Sequence, residues 1–252
     1  MEDHILVESR GPVLELRINR PDKKNALTQA MYAALADALD GAATDDTVAV
    51  AIITGAGDIF TSGNDLKDFQ ETPPVGADQP VYRFIRAIAA FPKVLIAGVN
   101  GAAIGIGTTM LLHCDLVVAS RLAMFHMPFV DLALVPEAGS SLLFPRLVGR
   151  QRAAKHLILA EPFDAETALD YGLVTELVDE SDVVPRARQL AERVAAKPPE
   201  AVRITKQLIA SPAASLEERI AAEGEHFAAR LQSAEAPEAF RAFFEKRPPN
   251  FR

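Results

Sequence analysis

Val94–Gly107 reads VLIAGVNGAAIGIG. Its first part, Val94 to Asn100, is a run of strand length whose apolar residues do not alternate with polar ones, which predicts a strand covered on both faces. Gly101, Gly105 and Gly107 follow, and Thr108, Thr109, Met110 and Leu111 read as the opening of a helix. A buried strand that passes through a glycine loop into a helix is a unit of α/β architecture. The glycines let the backbone come close to a ligand. The helix start presents N–H groups without intrahelical partners, and its dipole favours negative charge.

A second unit of this kind lies upstream. VAVAIIT (Val48 to Thr54) is another continuous apolar run, and it leads through GAGD into FTSGNDL, Phe60 to Leu66. A Ser62-Gly63-Asn64-Asp65 run makes either an ordinary turn or a loop holding a ligand against its backbone. Leu14, Leu16 and Ile18 alternate with Glu15, Arg17 and Asn19, predicting a strand with one solvated face. DLVVAS (Asp115 to Ser120) and LVTELV (Leu173 to Val178) are further strands. Thr28 caps a helix whose Met31, Leu35, Ala38 and Leu39 share one face, and Asp164 and Gly172 bracket a shorter one. Beyond about residue 180 the strand signals cease. AAKPPEAVRITKQLI, residues 213–231 and PEAFRAFFEKRPP then read as helices punctuated by proline. The expected organisation is an α/β core over residues 1–195 and a helical region over 196–252.

Composition narrows the chemistry. With 34 acidic against 26 basic residues, the net charge of -8 argues against nucleic acid as a partner. No apolar stretch reaches the roughly 18 to 20 residues that cross a bilayer, and Met1-Glu2-Asp3-His4 lacks the basic start of a signal peptide. The expectation is a soluble, cytoplasmic protein that does not engage a membrane. The single cysteine, Cys114, sits among Leu111, Leu112, Leu116 and Val117 and reads as a buried thiol in a reducing compartment. GAAIGIG does not make GxGxxG, and no GxSxG surrounds Ser62, Ser140 or Ser141. No HExxH or paired CxxC offers a metal site, and adjacent side chains in His113-Cys114-Asp115 diverge. His126, within MFHMPF, reads as a packing residue. Neither a metal nor a separate cofactor is expected.

Three loops make sense together. Two backbone N–H groups, one from TSGND and one from NGAAIGIG, can bind an oxygen that becomes negative, which is an oxyanion hole. The third loop, LVPEAGSS, carries Glu137 just before a helix from Ser140 to Leu147. An acid in that position is also a common helix-start carboxylate.

In order and spacing, INRPDKKNAL, AIITGAGDIFTSGNDL, FPKVLIAGVNGAAIGIG, CDLVVAS, FHMPFVDLALVPEAGSS, YGLVTELV and AFFEKRPPNF resemble the enoyl-CoA hydratase/isomerase, or crotonase, family along nearly the whole chain. The resemblance implies a spiral of ββα units, a helical C-terminal trimerisation region, and assembly as a homotrimer or hexamer. It implies an acyl-CoA substrate, so that coenzyme A arrives as part of the substrate. The backbone N–H groups of Ser62 and Ile106 would form the oxyanion hole, with Gly63, Asn64, Asp65 and Leu66 in the substrate-binding loop. Lys24 and Lys246 would meet the anionic CoA, and Asp68 to Pro80 would border the acyl pocket. Hydratases of this family use two glutamates, and at those positions this chain has Thr109 and Phe129. SGND together with PEA resembles the Δ3,Δ2-enoyl-CoA isomerase branch, in which Glu137 would carry a proton from C2 to C4. An apolar pocket of Leu134, Val135 and Phe129 is expected to raise its pKa, and Asp131 is the reserve candidate. The alternatives are another crotonase reaction such as hydration, or a non-catalytic acyl-CoA-binding protein.

Overall fold

The computed structural model describes residues 4–212 and 215–251. Met1, Glu2, Asp3, Ala213, Ala214 and Arg252 lie outside them, as do the ends of the two expected regions, the start of the 213–231 helix and the chain start read for a targeting signal. Among the described residues the strands are β1 (Ile5–Arg10), β2 (Val13–Ile18), β3 (Val50–Gly55), β4 (Val94–Val99), β5 (Ala103–Ile104), β6 (Leu116–Ser120), β7 (Met124–His126), β8 (Phe163–Asp164) and β9 (Glu176–Val178). The main sheet has the order β1-β2-β3-β4-β6-β9, antiparallel between β1 and β2 and parallel elsewhere, and β5-β7-β8 form a small second sheet. The helices are α1 (Gln29–Thr44), α2 (Leu66–Glu71), α3 (Pro80–Ala90), α4 (Ile106–Thr109), α5 (Ser140–Val148), α6 (Arg150–Leu157), α7 (Ala165–Asp170), α8 (Val183–Ala195), α9 (Pro199–Ala210), α10 (Leu216–Leu231) and α11 (Glu235–Glu245).

The two apolar runs read as doubly covered strands are β3 and β4, and every residue of each is buried. Alternation within them divides two cores. Ala51, Ile53, Leu95 and Ala97 face Leu35, Leu39 and Phe84 from α1 and α3, whereas Val50, Ile52, Val94 and Ile96 face Ala187, Leu190 and Ala191 from α8. Thr28 caps α1 by accepting from Met31 N–H at 3.3 Å, and Asp164 caps α7 by accepting from Thr167 N–H at 2.9 Å.

Two expectations need correction. The second face of β2 is not solvated, because α8 covers it: Glu15 is 1% exposed and accepts two bonds from Arg188 at 2.7 and 2.9 Å and one from Arg17 at 2.6 Å. Burial pushes the Glu15 pKa up, but the guanidinium contacts outweigh it and hold the carboxyl below its usual value. LVTELV is strand only from Glu176, since Leu173 and Val174 N–H groups donate to Ala168 C=O and close the turn after α7.

The helical C-terminal region divides. Lys206 of α9 donates to Asp115 and to Lys93 C=O, both at 2.7 Å, which pins this helix to the core. By contrast, Ala242 is the buried residue of α11, and no residue of α10 is buried. Among the described residues, no helix is long and apolar enough to cross a membrane, and no group of three metal-binding side chains occurs.

Candidate active site

At the C-terminal ends of β3 and β4, where open parallel sheets place their ligands, the chain enters the loops 56–65 and 100–105. They are fastened to each other: Ile104 N–H donates to Thr61 C=O at 3.0 Å, and Thr61 and Ala103 form a bridge. Gly63 has φ +89°, and a Cβ there would stand 2.8 Å from Ile104 C=O, so glycine is required both by conformation and by space.

The upstream turn braces this pair. Buried Asn25 donates through Nδ2 to Ala56 and Ile59 C=O, both at 2.8 Å, and its own C=O accepts from Thr61 Oγ1 at 2.7 Å. Ser62 N–H, expected as an oxyanion donor, donates to Lys24 C=O at 3.0 Å and is therefore committed to the fold. Two residues on, Leu27 N–H bonds Gly63 C=O and Asp65 N–H bonds Leu27 C=O, which leaves the intervening Asn64 N–H pointing away from this contact. Neither Asn64 N–H nor Ile106 N–H, at the first position of α4, has a partner among the described residues. These are the two donors that the paired loops hold available.

The rest of the expected binding loop has mixed duties. Asn64 Oδ1 accepts a short hydrogen bond from the hydroxyl of Tyr32, a fully buried side chain of α1. Asp65 accepts from Arg20 at 2.7 Å and caps α2 through Lys67 and Asp68 N–H, so it holds structure. Leu66 opens α2 and is exposed. Lys24 is exposed on the turn that grips Ser62, while Lys246 is the exposed left-handed cap of α11, with no contact joining it to these loops among the described residues.

Glu137 lies opposite, one turn before α5. Its Oε1 accepts a short hydrogen bond from Thr109 Oγ1, and Thr109 is fully buried in α4. Burial raises the Glu137 pKa to about 7, against the lowering effect of the Thr109 bond. The same carboxylate is felt by Tyr32, whose pKa is raised first by burial and then by the Glu137 charge. Leu134 and Val135, expected to wall this group, are 52% and 78% exposed; the tight turn Val130–Leu132, closed by left-handed Ala133, carries the stretch along the surface. Asp131 is exposed in the same turn, whereas Phe129 is buried.

Tyr32 and the N–H of Asn64 were not anticipated from the sequence. A tyrosine on the buried face of α1 needs a partner for its hydroxyl, and that was the available signal. Cys114 has its thiol pushed up by burial, and His126 uses Nε2 to hold Ala160 C=O at 2.7 Å; both serve packing.

Comparison with known proteins bears on the family and the fold. The family model described as enoyl-CoA hydratase/isomerase matches residues 8–252. Enoyl-CoA delta isomerase 2 of Rattus norvegicus is 42% identical over 81% of this chain, which spans 54% of that relative's length. The 1,2-epoxyphenylacetyl-CoA isomerase of Escherichia coli (strain K12) is 35% identical over 100% of this chain and 99% of its own. A structure from Magnetospirillum magneticum AMB-1, assigned as an enoyl-CoA hydratase/carnithine racemase, superposes with a TM-score of 0.96 at 44% identity, covering 100% of this chain and 99% of its own. From the match over residues 8–252 and the shared architecture, the chain belongs to the enoyl-CoA hydratase/isomerase (crotonase) family and has its crotonase-like α/β fold.

Proposed function

We propose that the protein is a Δ3,Δ2-enoyl-CoA isomerase that works with a single glutamate. The observation carrying this reading is Glu137 itself: a carboxylate at the paired loops, bonded to Thr109, with a pKa of about 7. The positions at which hydratases carry glutamates hold Thr109 and Phe129 instead. The thioester oxygen accepts from Asn64 and Ile106 N–H, replacing the Ser62 and Ile106 pair read from the sequence. Glu137 takes the C2 proton, the electron pair moves through C3 to leave a dienolate in the oxyanion hole, and the carboxyl delivers the same proton to C4. The double bond moves from C3–C4 to C2–C3, and no water is consumed. A base with a pKa near neutrality is suited to both halves of the transfer.

Coenzyme A enters with the substrate, and Lys24 and Lys246 are its proposed phosphate partners, the latter reached through assembly as a homotrimer or hexamer. Residues 196–252 are the proposed oligomerisation region, with α9 packed on its own core. The test is conversion of 3-hexenoyl-CoA to 2-hexenoyl-CoA by the purified protein, followed through the conjugated thioester. Tight binding of acyl-CoA without conversion or hydration of any enoyl thioester would favour the binding-protein reading. Hydration of 2-enoyl-CoA faster than isomerisation would favour the hydratase reading.

A further inference from the structure

One short segment joins the Ile106 donor to the turn that carries Glu137. From Ile106 the chain runs through α4 and a tight turn to His113. Ile106 leaves its N–H unpaired at the start, Thr109 Oγ1 donates to the Glu137 carboxylate in the middle, and His113 Nε2 meets Ala138 C=O at 2.7 Å at the end. A carbonyl only accepts, so Nε2 carries the hydrogen in this contact. The turn held there is a strained one. Ala138 at φ +52° and Gly139 at φ +68° are consecutive left-handed residues. For an alanine that conformation is unfavourable, and it persists where neighbours over-determine it. Ser140 supplies two ties, its N–H and Oγ both donating to Glu137 C=O, at 3.0 and 2.7 Å. His113 supplies the tie on the far side of the peptide, to a residue that is 6% exposed and whose carbonyl needs a partner.

We propose that His113 is a positioning residue for Glu137: by holding the Ala138 carbonyl it fixes the turn, and through the 106–113 segment it sets the spacing between the base and the oxyanion donor of Ile106. The proposal rests on the reading of Glu137 as the base. A carboxylate that must reach C2 and then C4 of one bound substrate tolerates little drift, since a misplacement of about 1 Å costs on the order of 100-fold in rate. The tie survives acid, because Nε2 keeps its hydrogen whether the ring is neutral or protonated. An acid limb in the activity profile is therefore not expected to come from this contact.

Two substitutions separate positioning from packing. His113→Leu keeps bulk but has no donor, whereas His113→Gln offers an amide N–H at comparable reach. With 3-hexenoyl-CoA, His113→Leu is expected to lower kcat by about 10- to 100-fold with KM nearly unchanged, and His113→Gln to recover most of the loss. A second readout is independent of turnover: the 13C titration of the Glu137 carboxyl in the resting protein. Its midpoint, about 7 in the native protein, is expected to fall in His113→Leu, because burial is the dominant cause of the raised value and a freed turn admits water. It should return in His113→Gln. Should His113→Leu fail to fold, His113→Asn, whose amide is too short for the carbonyl, replaces it. Equal loss of kcat in the Leu and Gln variants, or an unmoved kcat and midpoint in Leu, would overturn the proposal. If the native protein does not isomerise 3-hexenoyl-CoA, the reading of Glu137 as base fails, and the titration alone still decides whether His113 positions it.

Discussion

Glu137 sits on an electrostatic balance between burial and one hydroxyl, and both sides of it can be tested. With its pKa near 7, activity should fall as pH drops through neutrality, because the protonated acid cannot accept the C2 proton. Thr109→Val removes the bond that opposes burial, so the acid midpoint of the kcat profile should move upward and turnover at pH 7 should drop. Stability moves with the opposite sign. The folded pKa exceeds the unfolded one, so the folded protein binds the extra proton, and this contribution is full below about pH 4.5 and lost as pH rises through 7. Glu137→Gln should therefore stabilise the protein at pH 8 by on the order of 3 kcal/mol and hardly at all at pH 4, as read from thermal unfolding at the two pH values. The proposed oxyanion donors need a backbone test. Ile106 is the first residue of α4, where proline is tolerated, so Ile106→Pro deletes the N–H and should cost about 100-fold in kcat, while Ile106→Val keeps most activity. PEAGSS made the glutamate legible in the sequence. The donor in SGND was not, because which N–H is spent depends on where Lys24 to Leu27 lie against the loop, a contact that spans nearly forty residues of chain.

The elements were legible where burial is two-sided and misread where it is mixed. β3 and β4 were plain from their apolar runs, and Thr28 and Asp164 announced their helices. β2 looked half-solvated because alternation cannot distinguish a face in water from one covered by a helix that brings guanidinium groups. Glu15 is 1% exposed, and the Arg188 contact ties β2 to α8 across the whole core sequence. Arg188→Met should then destabilise by about 2 to 4 kcal/mol, since only Arg17, at 2.6 Å, and the half-exposed Arg10, at 3.7 Å, are left to compensate a buried carboxylate. As the folded pKa of Glu15 is lowered, its contribution is present above the unfolded carboxyl pKa and lost as pH falls; the penalty of Arg188→Met should therefore shrink in acid, which urea titrations at pH 7 and pH 4 can measure.

As a whole, the chain leaves apolar side chains exposed on α11 and on the core. Phe240, Phe243 and Phe244 of α11 are 53%, 79% and 79% exposed, so the rings do not cover their own core. Leu122, Val135, Ile158 and Leu159 are likewise exposed on the core. Light scattering is expected to give a multiple of three subunits, and Phe243→Asp with Phe244→Asp should shift the protein toward monomer at micromolar concentration; a stable native monomer would contradict this. The apolar face of α11 was legible in the sequence, because a helix pattern records an apolar face, but not what packs on it. The catalytic claim is also a property of the whole molecule, and one comparison tests it most directly: turnover of 3-hexenoyl-CoA to 2-hexenoyl-CoA by the native protein and by Glu137→Gln, with acyl-CoA binding measured alongside. The expected result is clear isomerisation by the native protein and a loss of several orders of magnitude in Glu137→Gln at nearly unchanged binding. Near-full turnover in Glu137→Gln, above all with loss in Asp131→Asn, would contradict the assignment of the base while leaving the fold intact.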